Sequence, residues 1–108
     1  MTVSSLLDSG FNVVAIPDKD REINGVYIGD LLSWVMSSAE FNNAWVTIMT
    51  NINVVAVASL VDVSCIILAE GVAPGEDVIV QAEAKGINIL STEMTSYEVA
   101  KALSVLGI

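Results

Sequence analysis

The sequence predicts a single α/β domain, three-layer-like, in which helices flank a largely parallel sheet of about five strands. The main evidence is one complete strand, helix and strand unit. An apolar run at residues 65–69 stops before a glycine, a helix runs from Glu76 to Lys85 and ends at Gly86, and a second apolar run follows at 87–90. Because a crossover of this kind joins parallel strands, we expect part of the sheet to be parallel.

The composition supports a compact domain with an unusually apolar surface. Of the 108 residues, 54% are hydrophobic and only 16% are charged. This balance excludes disorder, and the length predicts one domain that spans residues 1–108. Little polar surface remains for solvent, so we expect a partner to cover part of the apolar surface.

Local signals predict the elements that precede this unit. Pro17 ends the first strand, and an Asn-Gly turn leads into the second. Asp30 is expected to cap the next helix, because its carboxylate can accept free backbone amides. The helix after that is capped by Thr50, Asn51 or Asn53. The predicted elements are a short helix at 4–8, strands at 12–16, 26–28 and 44–49, and helices at 31–39 and 53–61.

The last predicted helix begins at a capping box. Thr95 and Glu98 have the spacing at which the hydroxyl accepts a helix amide and the glutamate reaches back to the cap amide. Four apolar residues at helical spacing, from Val99 to Leu106, then mark one buried stripe.

The helix at 53–61 is apolar nearly all round, unlike a helix that lies between a sheet and water. Either other elements of the chain cover both of its sides, or a second subunit covers one of them. We predict a homodimer in which this helix makes the contact and Trp34, Met36 or Met49 adds area. The predicted interface residues are Val54, Val55, Val57, Ala58 and Val61.

Charge and location signals restrict the partners. Thirteen acidic and four basic residues give a net charge of −9, which repels phosphate backbones and anionic lipids, so neither nucleic acid nor a membrane is predicted as a partner. The apolar stretch 52–69 is interpreted as a buried helix and strand, because Asp62 falls where the chain must turn. Cys65 is interpreted as a buried thiol, and with no secretion signal at the start we expect a cytoplasmic protein.

No catalytic constellation emerges from the sequence. There is no histidine and no phosphate-binding glycine loop, and the carboxylates do not have the spacing of a metal-binding loop. We therefore expect no catalytic residue, no cofactor and no metal site.

A binding site, if the domain has one, is expected outside the carboxyl ends of the parallel strands. Hydroxyls, an amide and helix N-termini at these ends suit a small polar or phosphorylated ligand. The candidate ligand-binding residues are Gly29, Asp30, Thr50, Asn51, Glu70, Gly71, Ser91 and Thr92.

Six runs of the chain together resemble the DRTGG domain family. These are residues 26–33, 43–47, 53–58, 66–71, 82–86 and 90–92. The resemblance spans nearly the whole chain and implies the fold of the N-terminal domain of HPr kinase/phosphorylase. It also implies an accessory, regulatory or dimerising module, of the kind found beside CBS pairs in regulated pyrophosphatases and within long phosphotransacetylases.

The chain departs from the motif that names this family. The Asp-Arg pair of the name falls near the Thr-Asn of residues 50–51, and the Thr-Gly-Gly element corresponds to the Ala-Glu-Gly of residues 69–71. The chain therefore lacks the arginine and one glycine. The Asp20-Arg21 pair precedes a different strand and is interpreted as part of a loop.

The sequence thus predicts a non-catalytic regulatory or dimerisation module that senses a small polar or phosphorylated ligand or docks onto a partner enzyme. Two alternatives remain open. One is a structural adaptor whose acidic surface meets a basic partner. The other is a small enzyme that acts on a phosphorylated or acyl substrate through strand-end acids such as Asp30 and Glu70.

Overall fold

The computed structural model describes all 108 residues and contains one five-stranded sheet, four α-helices and an N-terminal 3-10 helix. In chain order, the elements are the 3-10 helix Val3–Asp8, β1 Asn12–Ala15, β2 Gly25–Ile28, α1 Leu32–Ser38, β3 Asn43–Thr47, α2 Asn53–Val61, β4 Cys65–Leu68, α3 Glu76–Lys85, β5 Ile89–Ser91 and α4 Ser96–Val105. None of the helices combines the length and the apolar composition that crossing a bilayer requires.

The sheet is parallel except at one edge. Its strand order is β1-β5-β4-β3-β2, with β2 to β5 parallel and β1 antiparallel to β5. The predicted crossover is therefore β4-α3-β5, and the predicted fold class is confirmed. The other edge of the sheet is β2, which pairs only with β3.

Helices cover both faces of the sheet. Each crossover from β2 to β5 moves to the next strand in the same direction, and right-handed crossovers then place α1, α2 and α3 on one face. A first core cluster joins these helices to Trp45 and Ile66. A second cluster joins the 3-10 helix and α4 to Val46 and Ile67, which are the next residues along the same two strands and point to the other face.

The apolar helix α2 is buried by its own chain. Val54, Val55, Val57 and Ala58 lie in the core cluster beneath α1, α2 and α3, and the half-buried Val61 packs against that cluster. The four buried side chains are therefore not available to a second copy, and of the predicted interface residues only Val61 keeps part of its surface exposed. The alternative, that other elements of the chain cover these residues, accounts for their burial.

Two predicted helix starts also differ from the structure. Asp30 does not cap α1: the N-cap position is Leu31, and it makes no side-chain capping bond. At α2 the N-cap position is Ile52, while the Asn51 side chain accepts a hydrogen bond from the Asn53 amide at 2.9 Å. The reason for the first difference is that the Asp30 carboxylate bonds to the next strand instead.

The predicted helix ends are confirmed. Asp62 follows α2 in the left-handed conformation (φ 66°), and Gly86 follows α3 with φ 72°. The Thr95–Glu98 capping box opens α4, with the Glu98 amide donating to Thr95 Oγ1 and the Thr95 amide donating to Glu98 Oε1 at 3.0 Å.

The capping box makes the stability of α4 dependent on pH. The hydrogen bonds from the Thr95 amide and hydroxyl lower the pKa of the Glu98 carboxyl. Because the pKa is lower in the folded state, this contribution is fully present above the ordinary glutamate pKa of about 4.3 and disappears as the pH falls through the folded value. We expect Glu98→Gln to unfold at a lower urea concentration than the wild type at pH 7, and the difference to be smaller at pH 3.

The matched control is Glu83→Gln on α3, which removes an exposed helix carboxylate that makes no hydrogen bond. A difference between Glu98→Gln and wild type that is the same at both pH values would contradict the capping role of the charge.

Candidate functional site

The candidate ligand-binding residues lie at the carboxyl ends of the four parallel strands, which all end on the same side of the sheet. We call this side the strand-end edge. Gly29 and Asp30 follow β2, residues 50–51 follow β3, residues 70–71 follow β4, and residues 91–92 end β5. The hydrogen bonds between these loops divide the candidates into two groups, one at β2 and β3 and the other at β4 and β5.

In the first group, Asp30 fastens the end of β2 to β3. Its Oδ1 accepts hydrogen bonds from the Thr47 hydroxyl at 2.7 Å and from the Ile48 amide at 3.0 Å. Thr47 is only 1% exposed, so its hydroxyl needs a partner inside the protein. The Asp30 carboxylate therefore has a structural role.

Gly29 is held in the same way. Its amide donates to the Val46 carbonyl at 3.1 Å, and its carbonyl accepts the indole Nε1–H of Trp45 at 2.9 Å. Trp45 is fully buried, and this bond satisfies its only polar group. Both backbone groups of Gly29 are thus occupied by the fold.

In the second group, residues 70–71 are fastened to the segment after β5. The amide of Glu70 donates to the Met94 carbonyl at 2.8 Å, and the amide of Gly71 donates to the Thr92 carbonyl at 2.9 Å. The Thr92 hydroxyl is also occupied, since it accepts the Met94 amide at 3.2 Å. Thr92 is buried and Ser91 half-buried, whereas the Glu70 side chain is exposed.

Five candidates have side chains that reach solvent: Asp30, Asn51 and Glu70 are exposed, and Thr50 and Ser91 are half-buried. The backbone amides of Thr50 and Asn51 make no hydrogen bond within the chain. These groups, rather than Gly29 or Thr92, are what this edge offers to a ligand.

The charge at this edge is negative. The segments that follow the four parallel strands carry carboxylates at Asp30, Glu70 and Glu93, and no lysine or arginine. The four basic residues are elsewhere: Lys19 and Arg21 in the β1–β2 connection, Lys85 at the end of α3 and Lys101 in α4. No group of three or more histidine, cysteine or acidic side chains has a geometry that suits a metal ion.

The two cavities of the protein are lined by neighbours of these candidates, such as Met94 and Ile52, and not by the candidates themselves. The larger, about 440 Å³, is an open groove between Ser9 and α4. The smaller, about 120 Å³, lies between α2 and α3. None of the eight candidate residues lines either cavity.

The Asp20-Arg21 pair lies in the β1–β2 loop, as interpreted from the sequence, and its arginine holds neighbouring loops together. Arg21 binds the Asp62 carboxylate at 2.8 Å and also donates to Asn42 Oδ1 at 2.8 Å and to the Asp62 carbonyl at 2.6 Å. It thereby joins the β1–β2 connection to the loops before β3 and β4. Its guanidinium also lies 5.3 Å from the centre of the Phe41 ring.

Cys65 is a buried thiol, also as interpreted from the sequence. It lies on β4 with no exposed surface, and burial raises its pKa to about 12, against a weaker opposing effect of Arg21. A thiol with this pKa is not a nucleophile near neutral pH.

The sequence analysis named Trp34 and Met36 only as added contact area, and the structure shows exposed apolar side chains on both α1 and α2. We call these side chains the α1–α2 outer face and define it by Leu31, Trp34, Met36 and Leu60, which are between 47% and 73% exposed. The two helices pack against each other. The signal was present in the spacing of Leu32, Val35 and Ala39, which face the core and leave Trp34 on the solvent side.

Comparison with known proteins identifies the family. The family model described as the DRTGG domain matches residues 13–106. This chain belongs to the DRTGG domain family. A comparison with curated proteins gives no match.

A solved structure has the same fold as this DRTGG domain. It contains the CBS and DRTGG domains of the regulatory region of a Clostridium perfringens pyrophosphatase, in complex with the activator diadenosine tetraphosphate. The TM-score is 0.72 over 93% of this chain, with 13% identity, and the match spans 44% of the pyrophosphatase chain. At this identity the likeness shows the fold alone.

The backbone at residues 70–71 explains why glycines suit the family motif at this position. Glu70 has φ 60° and Gly71 has φ 73°, so both positions of the expected Gly-Gly element are left-handed. This DRTGG domain keeps the left-handed turn with a glutamate at the first position, although only glycine adopts that conformation without strain.

The first prediction at this edge concerns Asp30. Asp30→Ala removes the acceptor of the buried Thr47 hydroxyl and of the Ile48 amide, and we expect a loss of about 1–3 kcal/mol in the free energy of unfolding. Asp30→Asn keeps an acceptor oxygen and should lose less. Urea unfolding measures both variants, and equal stability of Asp30→Ala and wild type would show that this carboxylate does not hold the fold.

The second prediction concerns the left-handed turn. Glu70→Gly removes about 1–2 kcal/mol of backbone strain from the folded state. Because glycine also raises the conformational entropy of the unfolded chain, which offsets part of this effect, we expect the free energy of unfolding to rise by roughly 0.5–1 kcal/mol. Gly71→Ala should be destabilising, because its backbone is left-handed and its new methyl group would meet the Glu93 carboxylate. Thermal unfolding measures both changes, and a destabilised Glu70→Gly would contradict the strain argument.

Proposed function

We propose that this DRTGG domain is a non-catalytic regulatory module that acts by associating with another polypeptide through the α1–α2 outer face. The observation that carries the proposal is the exposure of Trp34 (65%) and Leu60 (73%) on two neighbouring helices whose own exposed positions carry no charge. Exposed apolar surface that lacks charge is typical of contact surfaces. The family match and the shared fold with a regulatory region support the regulatory role.

The structure offers less support for the two alternatives that place the functional residues at the strand ends, namely a small enzyme and an acidic adaptor. The hydrogen bonds of Asp30 to Thr47 and Ile48 assign this acid to the scaffold, which weakens the case for a small enzyme that uses it. An adaptor that meets a basic partner would use the acidic strand-end edge rather than the uncharged exposed positions of Trp34 and Leu60.

The test is the native mass of the protein in its own host. We expect tagged wild-type protein to run in a native separation as an assembly larger than the 11.4 kDa chain. Trp34→Glu should reduce it to the single chain, because a carboxylate cannot be buried unpaired in an apolar contact. The matched control is Val105→Glu, which puts the same charge on an 85%-exposed position of α4.

An assembly that Val105→Glu disrupts and Trp34→Glu leaves intact would move the contact to the groove at α4. Wild-type protein that runs as a single chain in the host at every expression level would overturn the proposal.

A second candidate function is small-ligand sensing at the strand-end edge. It is favoured by the solvent-facing groups of Thr50, Asn51 and Glu70, and by the complex of the pyrophosphatase regulatory region with the activator diadenosine tetraphosphate. For a phosphorylated ligand, the carboxylate of Glu70 would oppose binding and the free amides before α2 would favour it.

A thermal-shift assay with diadenosine tetraphosphate, ATP and inorganic phosphate tests this candidate. At 100 times the dissociation constant a ligand stabilises the fold by about 2.7 kcal/mol, which is several degrees for a domain of this size. Glu70→Gln should strengthen binding of an anion, and Glu83→Gln on α3 should not. An unchanged melting temperature with all three compounds would overturn the sensing function.

A further inference from the structure

The two outer strands of the sheet differ in how they are protected against further strand pairing. At β1 the register with β5 shifts between Val13 and Ala15, and Pro17 follows the strand. Bulges and prolines are means by which proteins close the edge of a sheet. β2 contains no proline and no charge, and its register with β3 is regular from Gly25 to Ile28. We call the outer side of Gly25–Ile28 the β2 edge, and it is open.

The backbone of β2 presents hydrogen-bonding groups along this edge. The Gly29 amide donates to the Val46 carbonyl at 3.1 Å, so the ladder with β3 continues past the end of β2. Because successive residues of a strand point their backbone groups to opposite sides, those of Val26 and Ile28 point away from β3. No other strand of the sheet pairs with β2. Val26 and Ile28 thus each offer one donor and one acceptor to an incoming strand.

The chain already pairs a short segment on this side. The Ile23 amide donates to the Met1 carbonyl at 2.9 Å, whereas the next amide, that of Asn24, donates to the Asn42 carbonyl just before β3. Met1 therefore lies on the side of the chain that faces away from β3. This pairing is an isolated antiparallel bridge, and it ends before β2 begins. An added strand would continue along the β2 edge in line with it.

The side chains of β2 are only partly covered. Ile28 is 46% exposed, and Val26 and Tyr27 are half-buried. Tyr27 packs against the first core cluster and Val26 against the second, so they lie on opposite faces of the sheet. An added strand would therefore cover apolar surface on both faces as well as the open backbone groups.

The charges around the β2 edge favour a basic partner. Glu22 precedes β2, Asp30 follows it, and Glu40 lies in the loop that binds Asn24; all three acids are exposed. From Glu22 to Ala84 the chain contains no lysine or arginine. A second copy is disfavoured, because a two-fold axis at this edge would bring Glu22 of one copy towards Asp30 of the other.

We infer that the β2 edge is a docking site for an extended segment of a partner protein, which pairs with Val26 and Ile28 as a sixth strand and carries lysine or arginine. Backbone hydrogen bonds supply the affinity, and contacts with Ile28 and the surrounding acids select the sequence. This site shares no residue with the α1–α2 outer face, so it does not depend on the association proposed there.

Selection of a displayed library of random ten-residue peptides on the purified protein tests the inference. We expect the selected peptides to combine valine, isoleucine or threonine with lysine or arginine, and to bind more weakly at high salt. A synthetic copy of a selected peptide should slow hydrogen exchange of the Val26 and Ile28 amides.

Variants of the edge locate the bound peptide. Ile28→Pro removes an outward amide and leaves the ladder with β3 in place, because proline is tolerated on an edge strand. We expect it to weaken peptide binding at least tenfold, whereas the matched control Ile28→Ala keeps the amide and should weaken binding less. Glu22→Lys should also weaken binding of the basic peptides, and Trp34→Glu should leave it unchanged. Melting curves show which variants fold, and the hydrogen exchange of the wild type needs no variant.

Each outcome decides the question. Peptides that bind Ile28→Pro as tightly as the wild type, or that leave both edge amides unprotected, would overturn the inference, as would a selection that enriches no peptide or only acidic ones. A wild-type dimer that Ile28→Pro dissociates would make a second copy the occupant and exclude the basic partner. Loss of peptide binding in Trp34→Glu would move the site to the α1–α2 outer face. Peptide binding that persists after Trp34→Glu has removed the host assembly would support two separate surfaces.

Discussion

The structure depends on the burial of β3 and β4 on both of their faces. Every residue of these two strands is buried, from Asn43 to Thr47 and from Cys65 to Leu68. A sheet with such a centre needs a layer of helices on each side. Right-handed crossovers place α1, α2 and α3 on one face, and the 3-10 helix and α4 complete the other.

The same constraint determines what the polar residues at the strand ends do. A parallel sheet buried on both sides brings polar backbone and side-chain groups of its loops close to the core, and those groups need partners. Asp30 satisfies the Thr47 hydroxyl, Gly29 satisfies the Trp45 indole, and Thr92 satisfies the Met94 amide. Residues whose types suit a ligand site are therefore largely used by the scaffold.

Much of the fold was accessible from the sequence because its signals are local. The capping box at Thr95, the left-handed Gly86 and the apolar run before Glu70 each predict one element from a few neighbouring residues. Strand order was not accessible, since it depends on which strands pair across the chain. Which side of α2 faces solvent could not be predicted either. The sequence around Val54 and Val57 is equally compatible with burial by the chain's own elements and with burial by a second subunit.

For the candidate site, the sequence predicted only its position in the fold. Parallel topology predicts that the strand ends share one edge, and the structure places all eight residues there. Which of them are free could not be predicted, because that depends on contacts across the chain, such as the bond between Asp30 and Ile48. The functional proposal now rests on Trp34 and Leu60. Their exposure likewise depends on how the helices pack, which the sequence did not show.

The central claim is that the uncharged outer face is covered in the working protein, and the two tryptophans allow a direct measurement. Trp45 is fully buried and Trp34 is 65% exposed in the single chain. Acrylamide quenching of tryptophan fluorescence in the assembly isolated from the host should find both indoles of this chain protected, with Trp34 becoming accessible when the assembly is dissociated. A Trp34 indole that is freely quenched in the intact assembly would contradict the account.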